Sequence, residues 1–146
     1  MSEQGSSTIE PPPREYRVLL VDDHKLLRVV LREIIEGYPG VSVVAEAANG
    51  VECVALAAAI RPDVIIMDVN MPVMNGIEAT KRIKASHPSP VVIGLSVNTS
   101  MSVRESMKEA GADAFLSKAH DSQQLYHVMQ QLVGGSSAYA RTNVAI

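Results

Sequence analysis

The stretch Val64-Ile65-Ile66-Met67-Asp68-Val69-Asn70-Met71-Pro72 decides the reading of this chain: four apolar residues run into one acid, and a loop with a proline follows. A short, unbroken apolar run fits a strand buried on both faces, as in a parallel sheet. Asp68 then stands where a buried strand meets a loop, a placement that suits a reactive carboxylate. A second run, Val18-Leu19-Leu20-Val21, ends in the acid pair Asp22-Asp23. The carboxyl ends of parallel strands share one edge, so three carboxylates are expected to meet there.

Crowded like charges raise one another's pKa and call for a cation. Oxygen-only ligands favour a hard metal such as magnesium, which accepts a few carboxylates together with waters and phosphate oxygens. That combination points to phosphoryl chemistry. Singly, each acid also suits a plainer role, Asp23 as a helix cap and Asp68 as the polar end of a strand. The chemical reading rests on the set.

Outward from these runs, short β-branched segments alternate with longer amphipathic ones, the pattern of βα units around a parallel sheet. Five strands are expected at 16–21, 41–46, 64–67, 91–96 and 114–117. In the first helix Leu27, Val30, Leu31, Ile34 and Ile35 form one apolar stripe at helical spacing, closed by Gly37 and Pro39. Capping pairs announce the other four: Asn49 with Glu52, Asn75 with Glu78, Ser102 with Glu105 and Asp121 with Gln124. The last helix is expected to bury Leu125, Val128, Met129, Leu132 and Val133 before Gly134-Gly135-Ser136-Ser137 breaks the periodicity. The fold class is α/β, a doubly wound five-stranded parallel sheet. One domain at 15–133 is expected between a Ser-, Glu- and Pro-containing leader at 1–14 and a tail at 134–146.

Ser96 and Lys118 also fall at strand ends, where a hydroxyl and an ammonium would serve a phosphoryl group on Asp68. Each alone also fits a turn serine and a solvated surface lysine. The 146 residues are 47% hydrophobic and 20% charged with a net charge of −3, and no Lys/Arg run could track nucleic-acid phosphates. The lone Cys53 sits among Val51, Val54 and Leu56, which reads as a buried thiol and fits a reducing compartment. With neither a signal peptide nor an apolar run long enough for a bilayer, a soluble cytoplasmic protein is expected.

The pieces Val21-Asp22-Asp23, Met67-Asp68-Val69-Asn70-Met71-Pro72, Asn75-Gly76, Leu95-Ser96, Ala110-Gly111-Ala112 and Lys118 occur in this order. Together, over Tyr16 to about Val133, they resemble the receiver domain of two-component response regulators, with its flavodoxin-like (βα)5 fold. The resemblance implies a phosphoacceptor, Asp68, that takes its phosphoryl group from a phosphohistidine. It implies Mg2+ held by Asp23, Asp68 and the Asn70 carbonyl, with Asp22 acting through a water. Lys118 would pair with a phosphoryl oxygen. Ser96 and Phe115 would be the switch pair, and the side chains of Asn70 and Asn98 would tune hydrolysis. The implied partners are a histidine kinase or phosphotransfer protein and an output domain or partner protein, with homodimerisation open. No catalysis beyond the domain's own phosphorylation and dephosphorylation is implied. Leu26 and Val29, beside the main stripe of the first helix, are candidates for kinase docking.

Some positions depart from the family pattern. Ala119 follows Lys118 where proline is frequent, and a cis bond before alanine costs roughly 3 kcal/mol, so a trans bond is expected. Val97 is bulkier than the usual alanine, which narrows access to Asp68. His24 after the acids resembles receivers of the LuxR type and is expected at the surface of the first turn. A LuxR-type factor reads DNA through a further helix-turn-helix domain, for which about a dozen tail residues leave no room, so direct DNA binding is not expected. A haloacid-dehalogenase-like aspartyl-phosphate phosphatase is a rival reading, but position 70 is Asn where its second acid belongs. A flavodoxin-like binding protein lacks support from any hydroxyl-rich phosphate loop, and the complete acid set argues against a phosphorylation-independent receiver-like module.

Overall fold

A computed structural model describes residues 15–88, 90–118 and 122–133. The expected leader and tail, the bond between Lys118 and Ala119, and the Asp121 cap lie outside these residues.

The strands are β1 (Tyr16–Val21), β2 (Val41–Ala47), β3 (Val64–Asp68), β4 (Val91–Ser96) and β5 (Ala114–Ser117). The helices are α1 (Lys25–Glu36), α2 (Gly50–Ile60), α3 (Gly76–Ser86), α4 (Met101–Ala110) and α5 (Ser122–Val133). All pairings are parallel, in the order β2-β1-β3-β4-β5. The expected strand ends agree within one residue. β1 and β3 lie at the centre, which is why their runs are apolar at every position and buried on both faces.

The period-two alternation of the strands divides the core into two layers. Val18, Leu20, Val64, Ile66, Ile93 and Leu116 face Ile35 of α1 and Leu125, Val128, Met129 and Leu132 of α5. Leu19, Val21, Ile65, Met67, Val92 and Phe115 face Cys53 and Ala57 of α2, Ala79 and Ile83 of α3, and Met107 of α4. Each fully buried Val, Leu or Ile contributes about 1.5–3 kcal/mol by leaving water.

The first helix corrects the expected stripe. Of its apolar residues only Ile35 is fully buried, while Val30 and Ile34 are exposed. The helix turns Arg28 inward instead, where Nε donates to Glu46 Oε1 (2.9 Å) and Nη1 to the Asp22 carbonyl (2.6 Å). Arg32 reaches the other oxygen of the Glu46 carboxylate (2.6 Å). Burial pushes the Glu46 carboxyl up, and the two guanidiniums outweigh it, holding its pKa below the ordinary value. This pair of bonds at the β2 edge sets the rotation of α1, and Leu26, Val29, Val30 and Ile34 are left toward solvent.

Caps fall where expected for α2 and α3, with Asn49 and Asn75 accepting from the amides of Glu52 and Glu78. For α4 the cap is Ser100, accepting from Val103 N–H, and Ser102 lies inside the first turn. Among the described residues no helix is long and apolar enough to cross a membrane.

Candidate functional site

The order β2-β1-β3 puts the switch in strand order between β1 and β3, where the crevice at the carboxyl ends opens. Asp22 follows β1 and Asp68 is the last residue of β3, so the two runs deliver their acids to one point. Asp22, Asp23, His24 and Asp68 each offer a ligand atom within 4.8 Å of the others. The cap of α1 is His24, which makes no side-chain capping bond, so Asp23 does not serve as a cap.

The three acids are held differently. Asp22 is buried and both its oxygens are engaged: Oδ2 accepts from Lys118 Nζ (2.8 Å) and Oδ1 from His24 N–H (2.9 Å). Lys118 Nζ also lies 3.3 Å from Asp68 Oδ1. Asp23 Oδ1 is buried without a hydrogen-bond partner among the described residues, although the exposed His24 ring brings Nδ1 to 3.2 Å, outside bonding geometry. A buried carboxylate oxygen left unbonded is costly unless a cation completes it, which fits these residues as a metal site.

Burial and then the charge of Asp22 push the Asp68 carboxyl above its ordinary pKa, with Lys118 opposing them. Burial alone would weaken the Lys118 ammonium, but its bond to Asp22 and the charge of Asp68 dominate and raise its pKa. Lys118 is thus a fixed cation between two acids, not a solvated surface amine.

The loop after Asp68 carries features the sequence reading missed. Gly76 packs so closely that a Cβ there would overlap the Asp68 carbonyl, and its N–H donates to Val69 O (2.8 Å). Gly50 opens α2 against the same loop, donating to Met74 O (2.8 Å), with a Cβ that would sit 2.6 Å from that oxygen. Between them Val73 takes a φ of 70° while 82% exposed, and Met74 N–H returns to Pro72 O (2.7 Å). This is a strained three-residue turn held from both sides, since a β-branched residue disfavours positive φ. An Asn-Gly pair signals a turn in sequence, but nothing local says that its glycine must clear the carbonyl at the end of β3.

Ser96, at the end of β4, is fully buried, and its Oγ accepts from Asn98 N–H (3.0 Å); no hydrogen bond joins it to Asp68 among the described residues. Asn98 Oδ1 accepts from Ser100 N–H (3.0 Å), which turns that side chain into its own loop. Phe115 is fully buried on β5. Asn70, Asp68, Lys118 and His24 line a cleft of ≈ 530 Å3 whose other walls are Leu26, Leu27, Val30 and Val97. Of the two expected docking residues, Leu26 borders this cleft at 78% exposure, and Val29 is exposed farther along α1. Cys53 is buried, and burial pushes its thiol up to about 12.

A doubly wound parallel sheet that gathers three acids and one lysine at its switch point defines an α/β domain with an acidic, metal-type pocket. The chain belongs to the response regulator receiver domain family, whose pattern it matches over residues 18–130. It is 38% identical over 120 residues to the transcriptional regulatory protein YdfI of Bacillus subtilis, covering 82% of this chain and 56% of that one. It superposes with a TM-score of 0.81 on a LuxR-family two-component response regulator from Aurantimonas, at 32% identity over 84% of this chain and 88% of that one. The CheX-CheY-BeF3-Mg+2 complex from Borrelia burgdorferi is similar at a TM-score of 0.73 and 25% identity, over 78% of this chain and 86% of that one. The chain spans just over half the length of the curated regulators it matches.

Proposed function

We propose that Asp68 is the phosphoacceptor of this receiver and that its pocket also holds Mg2+. The observation that carries the reading is the pairing of a buried carboxylate with a lysine 3.3 Å away, beside an acid whose buried oxygen has no hydrogen-bond partner among the described residues. Asp23 and Asp68 would bind the ion directly with the Asn70 carbonyl. Asp22, whose oxygens already serve Lys118 and His24, would act through a water. Bound magnesium would neutralise charge on the transferring oxygens.

An Asp68 carboxylate oxygen attacks phosphorus in line; the O–P bond forms as the N–P bond of phosphohistidine breaks, and its electron pair returns to the imidazole. Burial and the charge of Asp22 raise the basicity of the attacking oxygen, while Lys118 keeps it in place and meets the incoming negative charge. Water later attacks phosphorus and releases the carboxylate, with Asn70 and Asn98 tuning that step. Ser96 exchanges the Asn98 amide for the phosphoryl group, and Phe115 follows sterically because it has no hydroxyl. The response is a population shift between two states of the loop after β4.

The donor is a histidine kinase or phosphotransfer protein that meets the exposed Leu26 and Val29 of α1, and the recipient is an output domain or partner protein. We place the folded unit at 15–133, in the cytoplasm, with no activity beyond its own phosphorylation and dephosphorylation and no DNA contact of its own. Incubation with magnesium and acetyl phosphate should add the mass of one phosphoryl group to wild type and none to Asp68→Ala. Labelling of the variant as fast as wild type would overturn the assignment. For docking, Leu26→Glu with Val29→Glu should slow transfer from a kinase that serves wild type and leave acetyl phosphate labelling unchanged; equal slowing with both donors would argue for a damaged pocket.

A further inference from the structure

The hydroxyl of Ser96 and the ring of Phe115 lie on different strands, and one side chain joins their surroundings. Arg104, half-buried in the first turn of α4, places its guanidinium carbon 5.6 Å from the Phe115 ring centroid, within cation–π range. Its Nε donates to the carbonyl of Thr99 (3.0 Å), inside the loop between β4 and α4. A planar fork can lie over a ring and donate from its edge at once, which an ammonium cannot match.

The same loop is bonded continuously back to the pocket. Ser96 Oγ accepts from Asn98 N–H, Asn98 Oδ1 from Ser100 N–H, and Ser100 Oγ from Val103 N–H (3.4 Å) at the start of α4. The Phe115 ring has little freedom of its own. It sits beside Gly94, its register partner on β4, and a Cβ on that glycine would come within 2.9 Å of both the ring and Met107 Cε. If Ser96 gives up the Asn98 amide to reach Asp68, the turn carrying Thr99 is displaced, and Arg104 is bonded to it.

We propose that Arg104 is a positioning residue that couples the Ser96 loop to Phe115, so that the ring reports the state of Asp68 through the Thr99 carbonyl. The proposal rests on the phosphoacceptor reading above. Phe115 is the sole phenylalanine in the chain, so ring-carbon labelling gives the signals of one ring.

With magnesium and beryllofluoride added, that ring signal should move in wild type. In Arg104→Ala beryllofluoride should still bind, but the ring's response should fall by at least half. Arg104→Lys, which keeps the charge and loses the fork, should fall between the two. A full ring response in Arg104→Ala, or none in a wild type that binds beryllofluoride, overturns the coupling. If wild type does not bind beryllofluoride, the phosphoacceptor reading fails instead, and amide exchange in the free protein decides the clasp. Faster exchange from Thr99 to Val103 in Arg104→Ala supports it, and unchanged rates overturn it.

Discussion

At the amino edge of the sheet Asp63 precedes β3 and Asp113 precedes β5, and both carboxylates serve the fold. Asp63 Oδ2 accepts from Arg17 N–H (2.8 Å), while the guanidinium of Arg17 closes the end of α2 through the carbonyls of Ile60 and Arg61. Asp113 Oδ2 accepts from Lys84 Nζ (2.8 Å) and Val92 N–H (2.9 Å). At the carboxyl edge two of three acids share one lysine, a buried oxygen of the third has no hydrogen-bond partner among the described residues, and the Asp68 carboxyl is pushed up. The same residue type is thus a staple at one edge and a crowded, incompletely bonded group at the other. Partner supply makes the difference: backbone amides and a private cation below, crowding and an open valence above.

The contrast can be broken by exchanging the losses. Asp113→Ala removes the carboxylate shared by Lys84 and the Val92 amide, leaving Lys84 only the carbonyls of Pro88 and Pro90, and should lower unfolding free energy by about 1–3 kcal/mol in a denaturant titration, with acetyl phosphate labelling of the folded protein intact. Reduced labelling would blur the two edges. Of comparable size, magnesium should stabilise wild type by about 2.7 kcal/mol at a hundred times its dissociation constant, and Asp23→Asn should remove most of that gain. Thermal shifts of equal size in both proteins would place the ion elsewhere.

The smallest effect is a pH dependence. The Asp68 pKa is raised on folding, so the native state holds its proton more tightly, and stability falls as pH rises from the ordinary carboxylate value through the folded one. Without metal, Asp68→Asn should therefore melt higher than wild type at pH 7, and the gain should vanish as pH drops below the ordinary carboxylate range. Lys118 runs in the same direction, its contribution being full at neutral pH and lost as pH climbs through its raised pKa. A gain for Asp68→Asn that persisted in acid would show that packing, not charge, separates the two proteins.

The sheet was legible because its central strands carry unbroken apolar runs, at 18–21 and 64–67, that each end at an acid, a pattern local in sequence. The acid cluster followed from parallel topology alone. Three things were not legible. The Ser-x-x-Glu pattern at Ser102 and Glu105 imitates a capping box, while Ser100 has valine at the paired position and caps through geometry. The rotation of α1 depends on Arg28 and Arg32 meeting Glu46, a contact made only after folding. The partners of Lys118 and Arg104 are likewise set by strands and loops that sequence order keeps apart.

Cys53 gives this molecule a gauge of its own opening. The sole thiol is wholly enclosed between α2 and the sheet, and its protonated form persists to strongly alkaline solution. Alkylating reagents reach it only when that layer parts, so the speed of modification under native conditions times the parting of the layer beneath the acidic edge.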